Sequence, residues 1–436
     1  MTVPALLDRI AAAETVGRTG RVTKILATHV EADGPNLSRG ALCTIEAQGG
    51  EAVLAEVVRV ERDSVLLMPF ADGPRTFPGA EVRGCANCAD VPVGDAFLGR
   101  AVDAFGRPID GTGELRAAKR ANLSGTDVAM LDRMSPAKVL ETGVRAIDGL
   151  LTIGHGQRIG IFAASGVGKT SLMAQLARQV RADRIVLCLV GERGREVEAF
   201  WSRGLSAEAK ARSVLVAATS DQAAAMRVRA GEFAIALAEH WRSRGEHVVL
   251  FLDSVTRLAM AMREIGLAAG EPPTVRAYTP SVFAAIPKLV ERCGAVRGQG
   301  SITALMTVLT ETDDVDDPVA EMMKSLLDGH IILSRRLAEQ GHYPAIDVPR
   351  SISRLASELA TKGLRASAEK AVALLSTYES SRTLIESGVY AKGSNPDIDH
   401  ALARRPALTG FLRQRQDEFT PYSACADALA AAVGSA

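Results

Sequence analysis

Between residues 145 and 355, short apolar runs alternate with longer stretches whose apolar positions recur every three or four residues. The runs RIGIFAA (158–164), RIVLCLV (184–190), SVLVAAT (213–219), HVVLFLD (247–253), SITALMTVL (301–309) and HIILS (330–334) read as strands. Between them, SLMAQLARQVR places Leu172, Leu176 and Val180 on one helical face, and DQAAAMRVRAGEFAIALAEHWRSR (221–244) reads as a long helix. Strands without polar alternation, separated by helices, predict a mainly parallel sheet covered on both faces.

The flanking regions follow other periods. GRVTKILATHVEADG (20–34), ALCTIEA (41–47), AVLAEVVRVERDSVLLMPF (52–70) and AEVRG (80–84) are Val- and Leu-rich runs cut by Gly, Pro, Asn and Asp. Their close spacing predicts a small closed β-barrel. A Gly-rich connector, VGDAFLGRAVDAFGRPIDGTGE (93–114), leads into the central region. Beyond residue 360 only helical periodicity remains, in 357–388 and 399–419. At the N-terminus, Val3, Leu6, Leu7 and Ile10 fall on one face of a short helix, which either docks on its own domain or serves a partner or membrane surface. The expected organisation is an N-terminal amphipathic helix at 1–20, a β-barrel domain at 21–95, a P-loop domain at 96–360 and a helical domain at 361–436.

Composition narrows the class. The 436 residues are 47% hydrophobic, 23% charged and only 4% aromatic, as expected of a multidomain globular chain with an aliphatic core. Lys+Arg and Asp+Glu are both 51, so no overall basic field exists to hold nucleic acid or an anionic membrane nonspecifically. No apolar run approaches the ~20 residues of a membrane span, and Asp8 and Arg9 interrupt any signal-peptide core. Six scattered cysteines suit a reducing, cytoplasmic setting. Only Cys85 and Cys88 have ligand-like spacing, open to two readings: ordinary thiols beside a turn, or a redox or metal role.

The chemistry begins where RIGIF runs into AASGVGKTSLM (163–173), the pattern G-x-x-x-x-G-K-[ST] with Ala163 in the first position. Gly166 and Gly168 let the backbone of Ala164, Ser165, Gly166, Val167 and Gly168 curl its N–H groups around phosphates, with Ser171 in the first helical turn. Lys169 would reach the β/γ-phosphates and Thr170 would offer a hydroxyl to Mg2+. Asp253, ending the apolar run VVLFLD, suits a magnesium-water ligand. Hydrolysis needs a carboxylate beyond the phosphate tail, and Glu192 directly follows a strand at the sheet edge where ligands of such folds lie. Arg193, Arg195 and Arg257 are placed to offset its charge, whereas Glu196 and Glu198 read as first-turn helix acids. The acidic run ETDDVDDP (311–318) is either a solvated loop or a contact for a stalk protein.

FAASGVGKTSLM, VGERGREV, LFLDSVTRLAMAMREIGLAAGEPP, YTPSVFAAIPKLVERCG, LLDGHIILSRRLAEQGHYPAID and SISR occur together and in order. The chain thereby closely resembles the type III secretion ATPases, themselves similar to the catalytic β subunit of the rotary ATP synthase. The resemblance is most specific over residues 140–355 and extends more loosely over nearly the whole chain. It implies an α/β, RecA-like P-loop NTPase core with an N-terminal β-barrel and a C-terminal helical domain, acting on ATP with Mg2+. It further implies that Glu192 polarises the attacking water, that Arg193 and Arg257 lie near the γ-phosphate, and that Tyr343 stacks on adenine. Arg354 would reach into a neighbouring subunit's site, although spacing alone would make it a surface ion pair.

Phosphate loop, water-handling Glu and finger in one chain make a homo-oligomeric ring sufficient, and the resemblance implies a homo-hexamer. Implied partners are a central stalk protein, an N-terminal regulator or stator protein, the export gate and substrate–chaperone complexes, with peripheral contact at the inner membrane. Flagellar export is the expected pathway and a virulence injectisome the alternative. A ring-shaped RNA translocase would need stacking aromatics and a basic groove, yet residues 1–100 hold only Phe70, Phe77 and Phe97, so no nucleic acid is expected. A noncatalytic rotary subunit would not need an acid at Glu192.

Overall fold

The computed structural model describes residues 17–71, 76–85, 90–310 and 317–434. The expected N-terminal helix, Cys88 and most of the acidic run therefore lie outside the described residues, apart from residues 17–20, Asp317 and Pro318.

Six strands, Thr19–Ile25, Val30–Ala32, Leu42–Glu46, Ala52–Val60, Val65–Pro69 and Glu81–Gly84, close into a barrel in the order first, second, fifth, fourth, third, sixth. Val22, Val30, Ile45, Val57, Leu67 and Val82 fill its interior. Alternate residues point inward along each strand, and closure removes unpaired edges that so small a sheet would otherwise expose. Two of the four apolar runs each divide into two strands at a polar turn. The first breaks after Ile25 and the third after Val60.

The central sheet runs Ile352–Ser353, Gly329–Ile332, Arg158–Ala163, Ser301–Leu309, His247–Asp253, Arg184–Val190, Ser213–Ala218, Ala101–Val102. Neighbours along this path are parallel except Ile352–Ser353, which pairs antiparallel with Gly329–Ile332. Helix Ala224–Arg242 covers one face with Phe233 and Trp241, both fully buried. Helix Lys169–Gln179 covers the other with Met173 and Leu176. Burial on both faces is why these strands read as unbroken apolar runs. The two-residue edge strands escaped the sequence reading because Ala101–Val102 lies inside the Gly-rich connector and Ile352–Ser353 is half polar.

Helices Lys362–Glu386, Pro396–Leu412 and Tyr422–Val433 form the C-terminal layer, packing Phe411, Cys425 and Leu429 under the sheet's second face. The single helical stretch read from 357 divides into a short helix, Ala356–Leu359, and the long one from Lys362, which Thr361 caps by accepting from Leu364 N. Buried Gln414 ties the layer to the core, accepting from Arg145 N at 2.8 Å and donating to Gly143 O at 2.7 Å.

The barrel meets the core through Arg59, which donates to Ala269 O at 2.9 Å, and through Phe70, whose ring centroid lies 6.0 Å from the Arg229 guanidinium. At this junction burial, reinforced by Glu232, pushes the Glu56 carboxyl up from 4.5 to about 7, with Arg229 and Arg39 opposing. The folded chain then binds the proton more tightly than the unfolded one, so stability falls as pH rises from 4.5 through about 7. Glu56→Gln is expected to match the wild type in urea unfolding near pH 4.5 and to exceed it at pH 8, by on the order of 1–3 kcal/mol.

Candidate functional site

Strand Arg158–Ala163 ends in the centre of the sheet, and the chain turns through residues 164–168 into helix Lys169–Gln179. Val167 is buried and anchors the turn, while Ser165, Gly166 and Thr170 are exposed. Gly168 caps the helix at φ 92°, in the left-handed region, and accepts from Leu172 N. A Cβ there would also stand 3.2 Å from Tyr343 Cε1, so the glycine lets the tyrosine ring close on the loop. The unpaired N–H groups of the first helical turn and the helix dipole favour an anion at this point.

Two carboxylates come from the carboxyl ends of neighbouring parallel strands. Asp253 is the last residue of His247–Asp253, and Glu192 follows Arg184–Val190 by two. Lys169 bridges them, with Nζ 3.1 Å from Glu192 Oε1 and 2.5 Å from Asp253 Oδ1. Thr307 of the adjacent strand donates to the same Asp253 oxygen at 2.6 Å. The other Glu192 oxygen lies 3.3 Å from Arg257 Nη2, and Arg257 Nη1 donates to Gly191 O. Gly191 has φ 72°, and a Cβ there would stand 2.8 Å from Arg257 Cδ, so this glycine admits the arginine. Glu192 and Asp253 are 7% and 3% exposed; such burial of carboxylates demands the cations that surround them.

A cleft of about 910 Å3 opens over this group. It gathers Ala164, Ser165, Gly166, Gly168, Lys169, Thr170, Ser171, Glu192, Arg193 and Arg257 from among the candidates. Arg193 is largely exposed and lies 3.6 Å from Glu196, which also lines the cleft as a first-turn acid of helix Gly194–Arg203. Val167 and Asp253 sit behind the wall rather than on it, and Tyr343, 44% exposed, rests against Gly168. Arg354 is elsewhere. Its N–H donates to Asp328 O and its Nη2 to Lys324 O, beside the start of strand Gly329–Ile332.

The sequence reading missed Arg263, Arg276, Arg335 and Asp317, which also line the cleft. Arg276 stands at φ 53° and lies 3.4 Å from Asp317. Only the Pro-rich turn before Arg276 and the paired arginines at 335–336 could have drawn attention to this second basic wall. Among the described residues lining the opening basic groups outnumber acids, a balance that suits a polyanion. The hydroxyl of Thr170 and the Asp253 carboxylate are hard oxygen donors of the kind magnesium takes. Among the described residues no group of three or more His, Cys, Asp or Glu could hold a metal unaided, so an ion here would share its shell with phosphate oxygens and water.

A parallel sheet with a phosphate loop on its central strand, and a Lys-bridged carboxylate pair beside it, defines a P-loop nucleotide-binding protein. Residues 143–353 match the nucleotide-binding domain of the ATP synthase alpha/beta family, and residues 360–431 match the T3SS EscN ATPase C-terminal domain. The chain is 45% identical to the flagellum-specific ATP synthase of Bacillus subtilis over 96% of both chains. It is 43% identical to the type 3 secretion system ATPase of Xanthomonas euvesicatoria over 95% of this chain and 94% of the other. The solved structure of the assembled ATPase EscN from the enteropathogenic E. coli type III secretion system superposes with a TM-score of 0.90 at 39% identity, covering 95% of this chain and all of that one. The same ATPase in complex with its central stalk EscO gives a TM-score of 0.86 at 38% identity, with the same coverage. The chain belongs to the ATP synthase alpha/beta family, within its flagellar and type III secretion ATPases.

Lys169→Ala removes the bridging cation and leaves two buried carboxylates facing the phosphate position. Fluorescent-nucleotide titration is expected to show affinity for ATP lowered by at least about tenfold, corresponding to roughly 1.4 kcal/mol or more.

Proposed function

We propose that this chain hydrolyses ATP as a subunit of a homo-hexameric ring that energises protein export through a flagellar type III apparatus. The observation that carries the reading is the buried Glu192 carboxylate, held by Lys169 on one oxygen and Arg257 on the other at the mouth of the phosphate loop. A polyphosphate entering the cleft competes with Glu192 and Asp253 for the Lys169 ammonium. Lys169 then turns to the phosphate tail, while Arg257 keeps the Glu192 carboxylate oriented. Glu192 accepts a hydrogen bond from the attacking water and takes its proton as the oxygen attacks the γ-phosphorus, whose bond to the bridging oxygen breaks to release ADP and phosphate. Arg193 and Arg257 supply positive charge beside the γ-phosphate, and Tyr343 stacks on adenine. Thr170 and, through water, Asp253 would hold Mg2+, which when bound neutralises charge on the phosphate oxygens.

Arg354 completes the site of a neighbour. The phosphate loop follows the carboxyl end of strand Arg158–Ala163, whereas Arg354 is bonded to Asp328, whose side chain pairs with Arg158 at the amino end of that strand. Six residues at about 3.3 Å each separate the two by roughly 20 Å. That span supports a role across a subunit interface, where such an arginine is worth about 10³–10⁵ in rate. A ring with the finger of each subunit in the next site would couple ATP closure and release to rotation of a central stalk and to release or unfolding of export substrates. The remaining partners would be an N-terminal regulator or stator protein, the export gate and substrate–chaperone complexes. No helix among the described residues is long and apolar enough to cross a membrane, in keeping with a cytoplasmic ATPase held peripherally at the inner membrane.

The 45% identity to a flagellar relative over 96% of the chain supports the flagellar pathway. The 43% identity to a type 3 secretion relative keeps an injectisome as the second reading. Flagellar structural genes or host-effector genes beside the coding sequence would separate the two.

Glu192→Gln is expected to bind ATP with near wild-type affinity while phosphate release falls by at least about 10³-fold. Wild-type turnover by this variant would refute the mechanism. Arg354→Ala rings are expected to be inactive alone and to regain partial activity when mixed with Lys169→Ala subunits under conditions where labelled subunits exchange. No gain despite demonstrated exchange would remove Arg354 from the neighbouring site.

A further inference from the structure

A second cleft, of about 700 Å3, lies at the opposite end of the same sheet, where strands Arg184–Val190, His247–Asp253 and Ser301–Leu309 begin. One wall is a pair of imidazoles, His155 and His247, stacked with ring centroids 3.6 Å apart. Lys138, Arg181 and Arg212 line the cleft around them, and Asp183 is the acid among the lining residues.

The charges do not cancel locally. Asp183 accepts from His247 N at 2.8 Å, so part of its acceptor capacity is already used. Arg212 donates to Ala182 O and Val180 O, which orients the guanidinium but leaves its charge in place. Arg181 meets Glu141 only at 3.6 Å and is 69% exposed, so that contact offsets little. Lys138 forms no ion pair among the described residues. Glu246, next to His247, is itself paired with Arg184 at 2.7 Å and Arg244 at 3.0 Å.

A buried donor adds a second, independent indication. Thr303 Oγ1 accepts from Gly156 N at 2.8 Å and lies 2.9 Å from His247 Nε2. Donation of the threonine hydroxyl to Nε2 leaves the fewest groups unpaired, and it puts the ring proton on Nδ1. That nitrogen has no hydrogen-bond partner, although His247 is only 8% exposed. Buried N–H groups without partners are costly and uncommon.

We propose that this cleft binds a compact, soluble phosphate-bearing anion, with Lys138 and Arg181 supplying charge and the stacked His155–His247 pair forming the wall. The site is distinct from the nucleotide cleft, lying one strand length away. Strand His247–Asp253 joins them directly, with a wall residue at one end and the Lys169-bound carboxylate at the other. Burial and Lys138, opposed by Asp183, hold the His155 imidazole down at about 4, and burial, His155 and Lys138 hold that of His247 down at about 3. An anion bound beside them would favour their charged forms and raise both.

The test uses full-length Lys169→Ala protein, to weaken phosphate binding at the loop, titrated with inorganic phosphate against potassium chloride of equal ionic strength. Phosphate is expected to raise Tm, and Lys138→Glu or Arg181→Glu added to this background should weaken the apparent affinity by about tenfold or more. Both substituted side chains are exposed, so the variants should fold. The ring titrations of His155 and His247, followed by NMR, should move upward with phosphate in the Lys169→Ala protein and stay put in the Lys138→Glu variant. No phosphate-specific stabilisation, or stabilisation unchanged by both charge reversals, would overturn the proposal.

Discussion

Lys169 stands between two carboxylates that are almost wholly buried, and the rest of the phosphate-loop end is arranged around that contact. Carboxylates in a low-dielectric wall are tolerable only with cations and donors at hydrogen-bond range. Lys169 and Thr307 meet that need for Asp253, and Lys169 and Arg257 meet it for Glu192. The four strands contributing to the group are parallel and consecutive in the sheet, which brings their carboxyl ends to one edge. Loop lysine, strand-end acids and helix arginine therefore converge without any long-range search by flexible loops.

The same parallel arrangement separates functions as firmly as it gathers them. Everything at the carboxyl edge belongs to the phosphate end, and everything at the amino edge lies a strand length away. Arg354, anchored through Asp328 to Arg158, is on the far side from its own phosphate loop. A chain built this way carries a donor for a site and a site for a donor, which is the geometric basis of the proposed ring. The cationic cleft around His155 and His247 shares the amino edge.

The flanking domains are tied to this core by polar contacts as well as apolar packing. Gln414 hydrogen-bonds residues 143 and 145 through its side chain, and its backbone N–H donates to Tyr343 O at 2.9 Å. Movement of the C-terminal helices would thus be felt at the tyrosine that rests on the phosphate loop. On the other side, Arg229 lies against Phe70 with Glu56 and Glu232 half-buried nearby, so the barrel–core junction carries its own titrating group.

Local sequence determined the strands, because double burial leaves apolar runs such as RIVLCLV that no surface element needs. It also determined the phosphate loop, whose Gly spacing and Lys-Thr pair have a meaning independent of context, and the strand-end positions of Glu192 and Asp253. Short edge strands were illegible because two residues carry no period, as at Ala101–Val102. The pairing of Arg257 with Glu192, the support of Asp253 by Thr307, and the second basic wall of Arg263, Arg276 and Arg335 were decided only by tertiary structure. These contacts join residues far apart in the chain, and an exposed arginine in a sequence looks the same whether it faces solvent or a phosphate. Periodicity reports which side of an element is buried; which distant side chain meets it there depends on sheet order and register.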